Sequence, residues 1–278
     1  MDESLWFYLH YLYMTKPLVS VIMPVYNTKQ WVWEAIESTL NQTFKEFEFI
    51  IVDDCSTDWS YEICQEYAKK EKRIKLYRND KNGWVAYTKN RLIWLTTTNY
   101  LASQDSDDVS FLDRLELEYK FLKNHNDYAV VAWNNVIIDE EWNKIWHRKY
   151  SDDIRSVILK KSPVSHPTTM MRKDIFEEVW WYSKIKYVED YVLWIKLYTE
   201  WYKIKNIDKD LLKYRIRKGA QKWHVKETIK WTLNCQKEAY KKIKPSFSDR
   251  IYHCCLWCLT LLPNKWIMWL FKLLEYKN

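Results

Sequence analysis

LVSVIMPVYNTKQWVWEAIESTLNQTFKEFEFIIVDDCSTD, residues 18–58, decides the fold. It contains two short runs of apolar, β-branched residues, LVSVIM (18–23) and FEFIIV (47–52), which read as strands buried on both faces. Between them KQWVWEAIESTLNQ (29–42) repeats its apolar residues at helical spacing. Strand, helix, strand is the unit from which parallel sheets are built, and the second strand ends on Asp53, Asp54 and, a little later, Asp58.

Outward from this unit the alternation continues. RIKLY (73–77) and YLASQ (100–104) read as further strands, separated by helical YEICQEYAKK and VAYTKNRLIWL. The pattern predicts an α/β chain with a mostly parallel sheet covered on both faces, whose ligand binds at the carboxyl ends of the strands. Past residue 110 the order becomes mixed: a helix in FLDRLELEYKFLKN, a hairpin from AVVAWNNVIID and KIWHRKY, a helix near DDIRSVILKK and a strand near TTMMRK. A helix from about Asp190 to Glu200 and strand-like KIKNI and LLKYRIR follow, and the chain reads as helical from about Lys222. Residues 1–14 are read as an upstream extension, with Met14 as a candidate start. Residues 15–110 and 111–217 are read as two subregions sharing one sheet, and 218–278 as a basic amphipathic helical tail.

The formal charge of +7 is unevenly spread: residues 201–278 hold 18 Lys+Arg against 6 Asp+Glu. Such an end suits an anionic partner, either phosphates or a membrane surface. The closing CLWCLTLLPNKWIMWLFKLLEYK suits a lipid interface or packing against the rest of the chain, and the sequence leaves both open. No run of apolar residues is long enough to span a bilayer, and LWFYLHYLYM near the start lacks the basic leader and small-residue site of a signal peptide. Six cysteines without a spaced framework fit a reducing cytoplasm, and HCCLWC (253–258), lacking a second ligand pair, reads as helix packing rather than a zinc site.

The composition carries an anomaly. There are 2 glycines and 18 tryptophans, where average usage predicts roughly 19 glycines. Many tryptophans stand where turns call for glycine: NGW at Trp84, DEEWNK at Trp142, VWWYS at Trp180 and Trp181. Trp33, Trp59, Trp84, Trp94, Trp133, Trp142, Trp146, Trp180, Trp181 and Trp201 are therefore read as glycines in the cell. A gene that spells glycine as UGA, translated with a table that reads UGA as tryptophan, produces this pattern. The alternative is a genuinely tryptophan-rich chain. Trp31, Trp194 and Trp231 occupy helical apolar positions and read as genuine.

Three carboxylate groups fall where such a sheet binds its ligand. In VDDCSTD a carboxylate can accept hydrogen bonds from a base or ribose, while Asp58 also suits a helix cap. QDSDD places Asp105, Asp107 and Asp108 after the fourth strand, where they repel one another unless a cation or donors sit among them. A hard divalent ion bridging a diphosphate meets that need; a solvated acidic turn is the alternative. Glu189 and Asp190 open a helix, either as partners of its dipole or as a base for an attacking hydroxyl.

In their order and spacing VSVIMPVYN, LNQTFKEFEFIIVDDCSTD, NGWVAYTKNRLI, QDSDD, HPTTMMRKDIF, VEDYVLW and YRIRKGAQ, covering residues 17–217, resemble glycosyltransferase family 2, the inverting enzymes of the GT-A fold. The resemblance implies a GT-A, Rossmann-like sheet with a C-terminal helical segment. It sets Pro24, Val25 and Tyr26 against a nucleotide base with Asp54 at the imide edge, and Asn90 and Arg91 beside the diphosphate. Asp105 and Asp107 match the D-x-D that holds ribose and a divalent metal, Mn2+ or Mg2+, with Asp108 as a further ligand. Asp190 matches the catalytic base, with Glu189 beside it. His166 falls in an HPT segment near the acceptor or plays a structural part, and Arg215 and Arg217 reach the leaving diphosphate or lie on a solvated strand face. The family often has glycine where Cys55, Trp59, Trp84, Trp180 and Trp181 stand.

The implied activity is hexosyl transfer from a nucleotide sugar, foremost a UDP-sugar, to a hydroxyl of a glycan or lipid-linked acceptor. It is expected to depend on metal, to invert the anomeric centre and to serve cell-surface polysaccharide synthesis at the inner membrane face. The rival is an inactive glycan-binding or scaffold protein of the same fold. A dinucleotide oxidoreductase is disfavoured, because no G-x-G-x-x-G follows the first strand even with the suspect tryptophans read as glycine. Nucleic acid is not an expected partner.

Overall fold

The structure, a computed structural model, describes residues 16–179, 181–182, 187–217, 224–267 and 270. The 1–14 extension, Trp180 and most of the RKGAQ segment lie outside the described residues. Strands β1 (Val19–Val25), β2 (Phe47–Asp53), β3 (Ile74–Arg78) and β4 (Tyr100–Ser103) form a parallel block in the order β3-β2-β1-β4. Every residue of β2 is buried, and alternate side chains enter opposite cores: Phe47, Phe49 and Ile51 one, Ile50 and Val52 the other. Helix α1 (Val32–Leu40) packs on the first face through Val32, Ala35 and Ile36, with α2 (Ser60–Lys70) nearby; α3 (Trp84–Leu95) covers the second through Ala86, Leu92 and Ile93.

The later elements extend the same sheet. They are β5 (Val109–Ser110), α4 (Arg114–Asn124), β6 (Tyr128–Ile138), β7 (Lys144–Arg148), α5 (Ile154–Ile158) and a 3-10 turn at His166–Thr168. Next come β8 (Met170–Arg172), α6 (Lys173–Glu178), α7 (Glu189–Thr199) and β9 (Lys203–Arg215). Beyond β4 the order is β8-β6-β9-β5, with β7 paired to β6 as the expected hairpin. Strand directions are mixed here: β8 is antiparallel to both neighbours, whereas β6 and β9 run parallel. KIKNI and LLKYRIR prove to be one strand. The polar Asp208–Asp210 between them is absorbed as a register shift opposite Trp133 and Asn134, a bulge rather than a turn.

Two helices follow, α8 (Val225–Lys242) and α9 (Phe247–Leu259), joined by a small apolar cluster of Ile229, Leu233, Leu256 and Ile267. Ser246 and Asp249 close a capping box at the start of α9.

The backbone bears directly on the tryptophans. Among the described residues, Trp59, Trp84, Trp142, Trp181 and Trp201 have φ of 75°, 69°, 69°, 63° and 67°. All five belong to the ten positions read as glycine; Trp31, Trp194, Trp231, Trp257 and Trp266 do not share this geometry. A residue with a Cβ loses about 1–2 kcal/mol there, and glycine does not. Trp201 shows the case fully. It follows α7 at the left-handed position of a Schellman motif, with Trp201 N–H donating to Tyr198 O and Tyr202 N–H to Leu197 O, and its indole is 89% exposed. Trp33, Trp94, Trp133 and Trp146 have ordinary φ, so the backbone does not single them out. Trp194, by contrast, is fully buried in α7. Cys55, where the family often has glycine, also has a positive φ of 64°.

Candidate active site

The carboxyl ends of β1, β2 and β4 open into a cleft of about 1110 Å³. Pro24, Val25, Tyr26, Asp54, Asp105, Asp107, Glu189 and Asp190 all line it, although they come from distant parts of the chain. So do His166 and Arg217.

At the outer end Asp54 is buried at the tip of β2. Its Oδ1 accepts from Asn79 Nδ2 at 2.6 Å and from the Gly83 amide at 2.8 Å, which fixes the plane of the carboxylate. A Cβ on Gly83 would stand 2.3 Å from the Tyr87 ring, so a larger residue here would have to displace that exposed side chain. Asp53 points elsewhere: it is fully buried and pairs with Arg78. Asp58 ties two loops, accepting from the Ser60 and Lys29 amides; the N-cap of α2 is Trp59, so Asp58 stands one residue before the cap.

At the inner end Lys89 Nζ meets Glu189 Oε1 at 3.0 Å, with both side chains almost wholly buried. Arg217 Nε meets Asp107 Oδ2 at 2.7 Å while its guanidinium rests over the Trp31 ring. Burial pushes the carboxyl of Asp105 up to about 6, against the pull of Lys89 and with help from Asp107. Burial and the neighbouring Glu189 push Asp190 up to about 6 as well. Asp107 is also raised by burial, with Arg217 opposing. For Lys89 burial works against the charge, but Glu189 and the other carboxylates outweigh it and keep the ammonium charged.

His166 is buried beside this group. Its Nε2 shares a 2.5 Å hydrogen bond with the Tyr182 hydroxyl, and Nδ1 has no partner among the described residues. Burial and Lys89 hold its pKa well below the usual histidine value, so it is neutral near pH 7.

Several expected residues do not reach the cleft. Asn90 braces the Tyr182 backbone in both directions, and Arg91 donates to Arg78 O and Asn79 Oδ1. The reason is helical phase: Trp84, Val85, Thr88 and Lys89 form the face of α3 that lines the cleft, and the next two residues turn away. Asp108 is buried behind the cleft, one oxygen accepting the Arg215 amide at 2.9 Å. Arg215 is a buried brace on Asp107 O and Glu34, not a residue facing the cleft. Lys89 was not anticipated from the sequence, since a lone lysine in a helix carries no motif; its place on the face of Trp84, Val85 and Thr88 was the available signal.

The chemistry of the inner end suits a divalent cation that takes part of its coordination from a substrate. Among the described residues no three His, Cys, Asp or Glu side chains converge as a complete metal site. Asp105 and Asp107 offer hard oxygens into the cleft, and magnesium-like ions commonly take one or two carboxylates together with substrate phosphates. The buried Oδ2 of Asp108 has no hydrogen-bond partner among the described residues, and burial with the flanking Asp107 and Asp105 raises its pKa well above the usual range. The loop thus holds more negative charge than its own donors satisfy.

Comparison with known proteins bears on the family and the fold. The putative glycosyltransferase EpsE of Bacillus subtilis is 32% identical over 243 residues, 85% of this chain and 86% of that protein. The O-antigen biosynthesis glycosyltransferase WbnJ of Escherichia coli is 30% identical over 249 residues, 86% of this chain and 95% of that one. The fold is shared with S. aureus TarS 1-349 in complex with UDP-GlcNAc, at TM-score 0.68 and 20% identity, over 88% of this chain and 71% of that one. Residues 20–180, from β1 to the end of α6, match the profile of glycosyl transferase family 2. With a GT-A sheet and an acidic cleft at its strand ends, the chain belongs to glycosyltransferase family 2.

Proposed function

We propose that the chain transfers a hexosyl group from a nucleoside-diphosphate sugar, foremost a UDP-sugar, to a hydroxyl of a glycan or lipid-linked acceptor, with inversion. The observation that carries this is the meeting of Asp54, Asp105, Asp107 and Asp190 in one cleft. The base lies against Pro24, Val25 and Tyr26, with its imide edge at Asp54; Asp105 receives the ribose. Asp190 takes the proton of the acceptor hydroxyl as that oxygen bonds to the anomeric carbon, and the carbon–oxygen bond to the diphosphate breaks on the opposite face. An alpha-linked donor then yields a beta-linked product. Glu189, locked to Lys89, keeps the base in place and tunes it, and Arg217 lies where it can approach the departing diphosphate. When bound by Asp105 and Asp107, a divalent cation supplies neutralisation of the leaving group. The part that the Escherichia coli relative WbnJ plays in O-antigen biosynthesis supports a cell-surface glycan as acceptor.

A second reading, an inactive glycan-binding protein, has one feature in its favour: the indole of Trp84 lines the donor side of the cleft. Nucleotide release from a panel of UDP-sugars with Mn2+ separates the two. Turnover that is lost in Asp190→Asn supports transfer; no turnover in the chain or in its Trp84→Gly variant supports the inactive reading. A product retaining the donor's anomeric configuration contradicts the single displacement.

A further inference from the structure

The three cysteines of HCCLWC were expected to pack inward, yet Cys254, Cys255 and Cys258 are exposed on α9. They belong to a larger pattern. The inward side of α9 is fixed by Leu256 in the cluster with Ile229 and Leu233, by buried Asp249, and by His253 Nδ1 bonded to Gln236 Oε1 at 2.7 Å. The outward side carries Phe247, Ile251, Cys254 and Cys258, four, three and four residues apart, and exposed Leu261 continues the line in the turn just past the helix end. Trp257 and Leu262 widen this stripe and are exposed too. Of the exposed residues of α9 only Ser248 and Arg250 are polar. A helix on a protein surface ordinarily turns such a stripe toward the core; this one already has a second contact face there.

We infer that the outward face of α9 rests on an anionic lipid surface. Charge selects this occupant. The sole acid of the helix, Asp249, is buried and engaged by Arg155 and Lys160, so the face presents no carboxylate from α9. Arg250, Lys244 and Lys265 flank the apolar stripe and are exposed. A second copy docked face to face would bring these like charges together, whereas phosphate headgroups pair with them. Aromatic Phe247, Trp257 and Trp266, all exposed, suit the headgroup boundary. No helix among the described residues is long and apolar enough to cross a membrane, so the contact is one of lying on the surface.

The test uses no sugar substrate, so its outcome is separate from that of the proposed reaction. The full chain is sedimented with vesicles of phosphatidylglycerol and phosphatidylcholine in equal amounts, and with phosphatidylcholine alone. Binding is expected to the mixed vesicles, weaker by about tenfold on the neutral ones, and lower by about tenfold or more in Ile251→Glu/Leu261→Glu. Both positions are exposed, and an unchanged circular dichroism melt shows that the variant folds. Alkylation of Cys254, Cys255 and Cys258 by a water-soluble maleimide is expected to slow when mixed vesicles are present. Failure to sediment, undiminished alkylation of vesicle-bound protein, or a dimer in light scattering that the double substitution dissociates without changing vesicle binding would each overturn the inference.

Discussion

The two ends of the cleft hold their carboxylates by different means. At the outer end Asp54 is oriented by two neutral donors, Asn79 and the Gly83 amide. At the inner end Asp105, Asp107, Glu189 and Asp190 share the close attention of Lys89 and Arg217, so negative charge is in excess. The outer end is a shaped recess whose selectivity comes from hydrogen-bond geometry. The inner end is electrostatically incomplete, and burial raises the cost of leaving it so. Binding at the first depends on fit; chemistry at the second depends on what charge arrives.

This contrast can be broken at either end. Asp190→Asn keeps the shape and removes the proposed base, and is expected to lower kcat by about 10²–10⁴-fold with the donor KM little changed. Asp107→Ala is expected to cost about 10²–10³-fold in nucleotide release, because the leaving group loses its anchor. Lys89→Met leaves Glu189 buried without its cation, and urea unfolding should show a loss of about 3–5 kcal/mol. Lys89→Met with Glu189→Gln should regain much of that stability and little of the rate.

The smaller effects sharpen the distinction. Asp190 is raised to about 6 and must be deprotonated to act, so the rate should fall as pH drops through about 6, not near 4. Asp54→Asn at the outer end should leave that limb in place while weakening donor binding by about 1–3 kcal/mol, read as KM. Trp201→Gly, remote from both ends, should stabilise the fold by about 1 kcal/mol in thermal melts and leave the rate unchanged. Loss of stability in that variant would break the glycine reading at this position, as would a UGG codon there.

Much of the fold was legible because burial writes itself into sequence. β1 and β2 announce themselves as largely apolar runs buried on both faces, β3 and β4 as shorter apolar stretches that continue the alternation, and α1 as a spaced one. β9 was read as two strands since Asp208–Asp210 looks like a turn, and only pairing with β6 shows the bulge. The clustered carboxylates were legible by position after β2 and β4. Lys89 was not, because its meaning comes from Glu189, a hundred residues away and 3.0 Å distant. Asn90, Arg91 and Asp108 were assigned to the cleft by motif and Arg215 either to the diphosphate or to a solvated strand face, but side-chain direction within a helix, loop or strand decides which neighbour faces the ligand.

The left-handed backbone under Trp59, Trp84, Trp142, Trp181 and Trp201 reaches beyond conformation. If those codons are UGA, the gene is readable only by a cell whose ribosomes insert glycine there. In any host that treats UGA as a stop, synthesis would end before residue 59, after β2 and Asp54 but ahead of Asp105, Asp107, Glu189 and Asp190. Such a gene would be fenced into its own lineage, and laboratory expression would begin with rewriting it.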